Sequence, residues 1–303
     1  MALRTVAIAG ATGNLGSHVA RAFLSPESRT RFQDVVVLAR AESKAAAELA
    51  AAGAKLRVYD EDNLAQSLQG VDVLISVVGP SGHAFKEKLL RSLPATSVSL
   101  YFPSEFGVNH YIHDFPHEEW DAKKRHFELA KQLVPNIGRC RVYAGLLLED
   151  SIGPWFGFNT KDGRYEAVGS PGQRTSYISK SDIGRALANL ASLPLGDVPD
   201  EVSLNGDSKS FQEIADVMRA SGAGHIDVTS VPLAAYKAEV LADPSPTPER
   251  YLRFLMGEGK IDHSDTGLGN QNGVVLSGGP VAWMRMQDLA KETGGKPWAS
   301  SVW

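Results

Sequence analysis

The stretch Val6-Ala7-Ile8-Ala9-Gly10-Ala11-Thr12-Gly13-Asn14-Leu15-Gly16 decides the fold. Val6 to Ala9 is a short apolar run, which reads as a strand buried on both faces, as in a parallel sheet. Gly10, Gly13 and Gly16 follow at once. From Ser17 the pattern turns helical, with Leu15, Val19, Ala22 and Phe23 on one face. Strand, glycine-rich turn and helix in that order are the setting a dinucleotide site requires. Gly10 permits a tight turn, Gly13 lets backbone N–H groups approach a diphosphate, and Gly16 lets the helix pack close to the strand. Thr12, Asn14 and Leu15 lie between these glycines and share their place at the positive end of the helix. The spacing is G-x-x-G-x-x-G rather than G-x-G-x-x-G. A turn with no ligand is the alternative reading.

Outward from this stretch, apolar runs alternate with helical patterns. Strands are read at Asp34 to Arg40, Lys55 to Asp60, Val71 to Gly79 and Ser97 to Phe102, with a sixth around Arg141 to Leu146. Helices fall between them, among them the alanine-rich segment Ala45 to Ala52 and a charged one from about Glu118 to Leu133. This rhythm means βαβ units, and crossover handedness makes them a doubly wound parallel sheet with its ligand at the strands' carboxyl ends. After residue 150 the rhythm weakens. A hairpin is read around Lys161-Asp162-Gly163, and Lys180-Ser181-Asp182 caps a helix running to about Leu193. Further strands are read at Val202 to Leu204 and Ile226 to Val231, and helices at Phe211 to Ala220, Glu249 to Met256 and Val281 to Thr293. The expected division is a nucleotide-binding domain over 1–150 and a smaller substrate subdomain over 151–303, some of whose elements return to the first.

The 303 residues are 43% hydrophobic and 22% charged, which is ordinary for a globular protein. A net charge of −4 gives no footprint for nucleic acid or an acidic membrane. Cys140 is the only cysteine, so an internal disulfide or a cysteine-built zinc site is excluded, and a reducing compartment fits. The first strand starts within a few residues of Met1, and no apolar run is long enough to cross a bilayer. The expectation is a cytosolic monomer or homodimer with a small-molecule ligand.

Strand two ends in Arg40, where an acidic residue would hold the ribose 2′-OH of NAD. A guanidinium suits a 2′-phosphate instead, with Lys44 one helical turn on, so NADP(H) is the expected cofactor. Asp60, ending strand three, is a candidate for the adenine amino group. Val78 and Gly79, ending strand four, are placed beside the cofactor's ribose. The tyrosine-lysine pair Y-x-x-x-K of the short-chain dehydrogenases is absent: no tyrosine has a lysine four residues on, and Tyr177 has Lys180 at three. Candidates for proton transfer are Ser104, Glu105, His110, His113, His117, Lys123 and Lys124. The three histidines are spaced for one helix face, but Pro116 interrupts it and no carboxylate partner is evident, so no metal site is expected. Phe106 and His113, with the aromatic cluster Trp155, Phe156 and Phe158, are read as substrate-pocket walls; core packing is the alternative for the cluster.

The glycine loop at 10 to 16, Leu38-Ala39-Arg40, and above all Phe102-Pro103-Ser104-Glu105-Phe106-Gly107 resemble the isoflavone reductase-like and NmrA-like proteins, atypical short-chain dehydrogenases/reductases. The resemblance covers about residues 4 to 190 well and the remainder loosely. It implies a Rossmann-type fold and an NADPH-dependent reductase that delivers hydride to a conjugated or aromatic small molecule. It also implies a catalytic lysine early in the helix after the Ser-Glu-Phe-Gly turn, a fixed distance before a proline. Pro135 matches that proline and places the lysine at Lys123, which would be the acid/base and would also position the nicotinamide ribose, with Ser104 in the pocket and Tyr143, Ala144 and Gly145 beside the nicotinamide. The chain departs from the pattern in its aromatic and histidine-rich stretch before the helix and in the residues 136–139 after Pro135. NmrA-like proteins also include dinucleotide-binding redox sensors without turnover, which is the alternative function.

Overall fold

In the computed structural model, which describes residues 3–245, 247–279 and 281–299, the apolar runs of the first half line up in one sheet. The first half runs β1 (Arg4–Ala9), α1 (Asn14–Leu24), α2 (Pro26–Arg29), β2 (Phe32–Ala39), α3 (Lys44–Ala51) and β3 (Lys55–Val58). It continues with α4 (Leu64–Ser67), β4 (Val73–Ser76), α5 (His83–Ser92), β5 (Leu100–Phe102), α6 (Glu118–Leu133) and β6 (Gly138–Arg139). All pairs in the sheet are parallel, in the order β3-β2-β1-β4-β5-β6. This is the expected Rossmann-type doubly wound sheet. The order reverses between β1 and β4, which opens a crevice at their carboxyl ends. Val6 to Ala9 are fully buried there, with Val73 to Ile75 alongside.

The second half contains β7 (Arg141–Tyr143), β8 (Leu146–Leu147), α7 (Leu148–Ser151), β9 (Phe158–Asn159), β10 (Arg164–Val168), β11 (Arg174–Ile178) and α8 (Lys180–Ser192). After these come β12 (Glu201–Ser203), β13 (Asp207–Ser210), α9 (Phe211–Ala220), β14 (Asp227–Val231), α10 (Leu233–Ala242), α11 (Glu249–Gly257), α12 (Asn272–Ser277) and α13 (Met286–Glu292). They form small sheets, β14-β10-β9, β13-β11-β8 and β12-β7. A second hydrophobic cluster, including Phe158, Phe211, Tyr251 and Phe254, packs among them.

Some expectations are corrected. Strand six of the large sheet is Gly138–Arg139, not Arg141 to Leu146. The Cys140 N–H still reaches the Tyr101 carbonyl (3.1 Å), but the Arg141 N–H turns to Asp200 (2.9 Å), so the strand changes partners there. Arg141–Tyr143 then pairs with β12. The α8 cap is Ser179, whose hydroxyl accepts from the Asp182 N–H at 3.0 Å. Helix α10 was not legible because only Val240 on it is buried, so no apolar stripe marks it. Helix α12 lies between the helices expected at Glu249 to Met256 and Val281 to Thr293. Asn189 of α8 holds it by donating to the Val275 and Gly279 carbonyls (3.1 and 2.9 Å). The last helix is shorter than expected.

Helix α8 packs along α1 on the large sheet, although it follows the hairpin region in sequence. Gly184 makes this possible. A Cβ there would lie 2.7 Å from the Ala22 Cβ and 2.9 Å from the His18 carbonyl oxygen. The α1–α8 pair is thus one of the contacts that bind the C-terminal half to the first.

Candidate active site

The glycine turn has the shape its sequence required. Gly10 adopts φ +83°, a left-handed conformation that glycine enters without steric cost. A Cβ on Gly16 would come within 2.0 Å of the Gly10 carbonyl oxygen, so only glycine lets α1 start this close to β1. Gly13 caps α1 without any side-chain hydrogen bond. The first-turn N–H groups are thus left for an anion.

A cavity of about 340 Å³ opens from this turn. That lies within the roughly 300–1,000 Å³ of small-molecule sites. Gly13, Asn14 and Leu15 form one end, and Val77, Val78 and Gly79 after β4 form its floor. The turn after β5 adds Ser104, Glu105 and Phe106. The Ser104 hydroxyl donates to the Val78 carbonyl at 2.7 Å, tying the two strand ends together. Gly145 and Leu147 close another side, and Trp120, Phe156 and Leu252 make an apolar wall. The cavity is mainly apolar with a few convergent polar groups, as binding sites are.

Lys123 lines this cavity from α6, one turn after Glu119. Its ammonium lies 3.7 Å from the Glu119 carboxylate, and the two side chains are 18% and 14% exposed. Behind it, Lys86 on α5 is buried; burial, then the Lys123 charge, brings it down to about 8. Glu105 is buried as well, and burial pushes its carboxyl above the usual range, against the pull of Lys123 and Arg141. Its Oε2 lies 3.2 Å from His110 Nε2, and neither atom has a well-directed hydrogen bond. Burial, followed by Lys123, lowers the His110 imidazole to about 2, so that ring stays neutral.

Not every candidate residue meets in the cavity. Thr12, Gly10 and Gly16 shape the turn behind it. Arg40 and Lys44 stand exposed beyond β2, with Asp60 exposed beyond β3, and none of the three lines the cavity. Tyr59, which stacks on Phe85 at 4.8 Å, faces the Arg40 charge there. Tyr143 is fully buried and does not line the cavity; it meets His110 edge-on at 6.2 Å. Phe158 is a core residue, stacked on Phe211 at 4.2 Å. Trp155 packs against the same core, and His113 stacks on Phe115 at 5.2 Å and lies tilted against Trp120 at 4.6 Å. Of the expected walls only Phe106 and Phe156 border the cavity. His117 lies on Trp120, and Lys124 pairs with Asp121 at 3.2 Å. No cluster of three His, Cys, Asp or Glu able to hold a metal occurs among the described residues. Cys140 is buried, which pushes its thiol up to about 12.

Several cavity residues escaped the sequence reading. Glu119 and Trp120 sit in a charged run that carries no motif, and Leu252 comes from distant α11. Asp150 and Lys180 are joined by an ion pair of 2.7 Å beside the glycine turn. The only trace of Lys180 in the sequence was its place at a helix start three residues after Tyr177.

Fold and site together define a doubly wound α/β protein with a crevice at the sheet's carboxyl edge. The model of the NmrA-like family matches residues 3–259. The chain belongs to the NmrA-like family. Among curated proteins it is 29% identical over 159 residues to a probable pinoresinol-lariciresinol reductase 3 of Arabidopsis thaliana, covering 49% of this chain and 51% of that one. It is 32% identical over 110 residues to the isoflavone reductase homolog IRL of Zea mays, covering 34% and 36%. It is 27% identical over 201 residues to the oxidoreductase aprR of Aspergillus flavus, covering 62% and 64%. The matches thus span less than two thirds of each relative. Solved structures extend the likeness in fold to nearly the whole chain. AtPrR2 with NADP+ and (+)pinoresinol superimposes with a TM-score of 0.79 at 17% identity, covering 96% of this chain and 99% of that one. The leucoanthocyanidin reductase–NADPH complex of Vitis vinifera does so at 0.74 and 18%, with the same coverage.

Proposed function

We propose that this protein is an NADPH-dependent reductase of a conjugated or aromatic small molecule. One observation carries the reading: a single cavity joins the uncapped N-terminus of α1 to the half-enclosed lysine Lys123. The residues fit the cofactor, since the close-packed glycine turn leaves backbone N–H groups free for a diphosphate and Arg40 stands free for a 2′-phosphate. The named reductases among its relatives support the same class. NADPH, when bound, supplies a hydride.

The chain's own residues do the rest. Gly13 to Leu15 orient the diphosphate, and the Val78–Gly79 floor and Ser104 position the nicotinamide end. Trp120, Phe156 and Leu252 hold a flat substrate and exclude water. Lys123 carries a proton at Nζ, with Glu119 as counter-ion, and gives it to the substrate oxygen as negative charge develops there. A lysine enclosed in the cavity supports turnover over a sensing role. The test is a screen of aromatic enones, ketones and benzylic ethers by loss of NADPH absorbance. Oxidation of NADPH with one substrate group, lost in Lys123→Ala, supports the reading. NADPH binding without turnover of any of them counts against it.

A further inference from the structure

Three side chains meet where the glycine turn touches the second half of the chain. Asn14 is the first residue of α1, Asp150 lies on α7, and Lys180 opens α8. The Asn14 Nδ2 donates to Asp150 Oδ2 at 2.7 Å. The Lys180 Nζ donates to Asp150 Oδ1 at 2.7 Å and to Asn14 Oδ1 at 2.9 Å. The triangle is closed, each side chain bonding the other two. It also fixes the Asn14 amide, because a lysine only donates and a carboxylate only accepts. Lys180 is buried, and its own N–H donates to the Glu149 carboxylate at 3.1 Å. Asn14 and Asp150 both border the cavity.

The charge here matters. The first turn of α1 is uncapped and built to face an anion. A bare carboxylate beside it repels a diphosphate, and burial of its surroundings strengthens that repulsion. Lys180 cancels it. We propose that Lys180 is a positioning residue for the dinucleotide, acting through Asp150: it neutralises the one carboxylate that borders the cavity beside the uncapped first turn of α1. The proposal rests on the NADPH reading above.

The test is NADPH titration, followed by cofactor fluorescence, of the full chain as wild type, K180M, D150N and the double variant K180M/D150N. K180M strands Asp150 as an unpaired anion and should weaken NADPH binding roughly 30-fold. D150N should lower it by no more than about threefold, because with the carboxylate gone there is no negative charge left for Lys180 to cancel. In the double variant the stranded charge is gone, and affinity should recover to within about fivefold of wild type. A structural role alone would lower the melting temperature without this recovery. Should K180M fail to fold by ligand-free melting, Lys180→Gln, which keeps a donor toward Asp150, takes its place with at least a roughly tenfold loss expected. Unchanged binding in K180M, or a double variant as weak as K180M, overturns the proposal while leaving the NADPH reading intact. Wild type that binds no NADPH overturns both.

Discussion

Lys123 shows how much one residue's meaning depends on its neighbours. In the sequence it is one charge in a run from Asp121 to His126, and a solvated helix face explains such a run equally well. Only the resemblance, through its distance from Pro135, singled it out over Lys124. The structure separates the two, with Lys123 lining the cavity and Lys124 engaged by Asp121 at the surface of α6. The glycines were more legible, because their requirement is steric and local. Glu119, Asp150 and Lys180 were not, since their meaning comes from contacts between segments distant in sequence or from a partner one turn away. For the proposed acid/base, Lys123→Ala should lower kcat/KM by roughly 10²–10⁴-fold, the usual worth of a positioned acid. NADPH affinity should stay within about threefold, because the diphosphate contacts lie on other elements. Steady-state kinetics on a substrate from the screen, beside a binding titration, separates these effects.

The elements of the first half were legible because their strands are buried on both faces and their turns are punctuated by glycine and proline. The stretch from Val108 to His117, between the Ser-Glu-Phe-Gly turn and α6, was not. It is short on pattern and rich in rings, and its conformation is set by packing on Tyr251 and Phe254 of α11. Its histidines carry a consequence for pH. Burial holds His113 down at about 4, with the charges of Lys260 and Lys124 adding to it, and it lowers His117 as well. Their ring nitrogens have no hydrogen-bond partner among the described residues. Below the unfolded value of about 6.5 the unfolded chain takes up protons that the native rings refuse. Stability from these rings is therefore complete above about pH 6.5 and lost as pH falls toward about 4. Melting temperature should decline through that window, and His113→Phe should make the decline shallower. A variant with an unchanged slope would show that His113 is not responsible.

At the scale of the molecule, the chain crosses back over the division expected near residue 150 through α8. Helix α8 completes the large sheet's layer against α1, and the hydrophobic cluster around β1 includes Ile183, Leu187 and Leu190 from it. Sequence rhythm could not show this, because a helix after a hairpin looks the same whichever sheet it covers. Gly184→Leu should drive α1 and α8 apart and cost about 2–3 kcal/mol, since overpacked sites relax only partly. Denaturant unfolding with an unchanged slope and a lowered midpoint would confirm it. The same arrangement brings α7 and α8 against the glycine turn, so that one cavity runs from that turn to Lys123.

An NADPH site with Lys123 free for chemistry is tested directly by a fluorescence titration of wild type and Lys123→Ala with NADPH and NADH. NADPH should bind at least roughly tenfold tighter than NADH, as expected for a guanidinium reading the 2′-phosphate, and its affinity should be nearly unchanged in the variant. Equal affinity for the two cofactors would contradict the role of Arg40, and binding of neither would contradict the dinucleotide site itself.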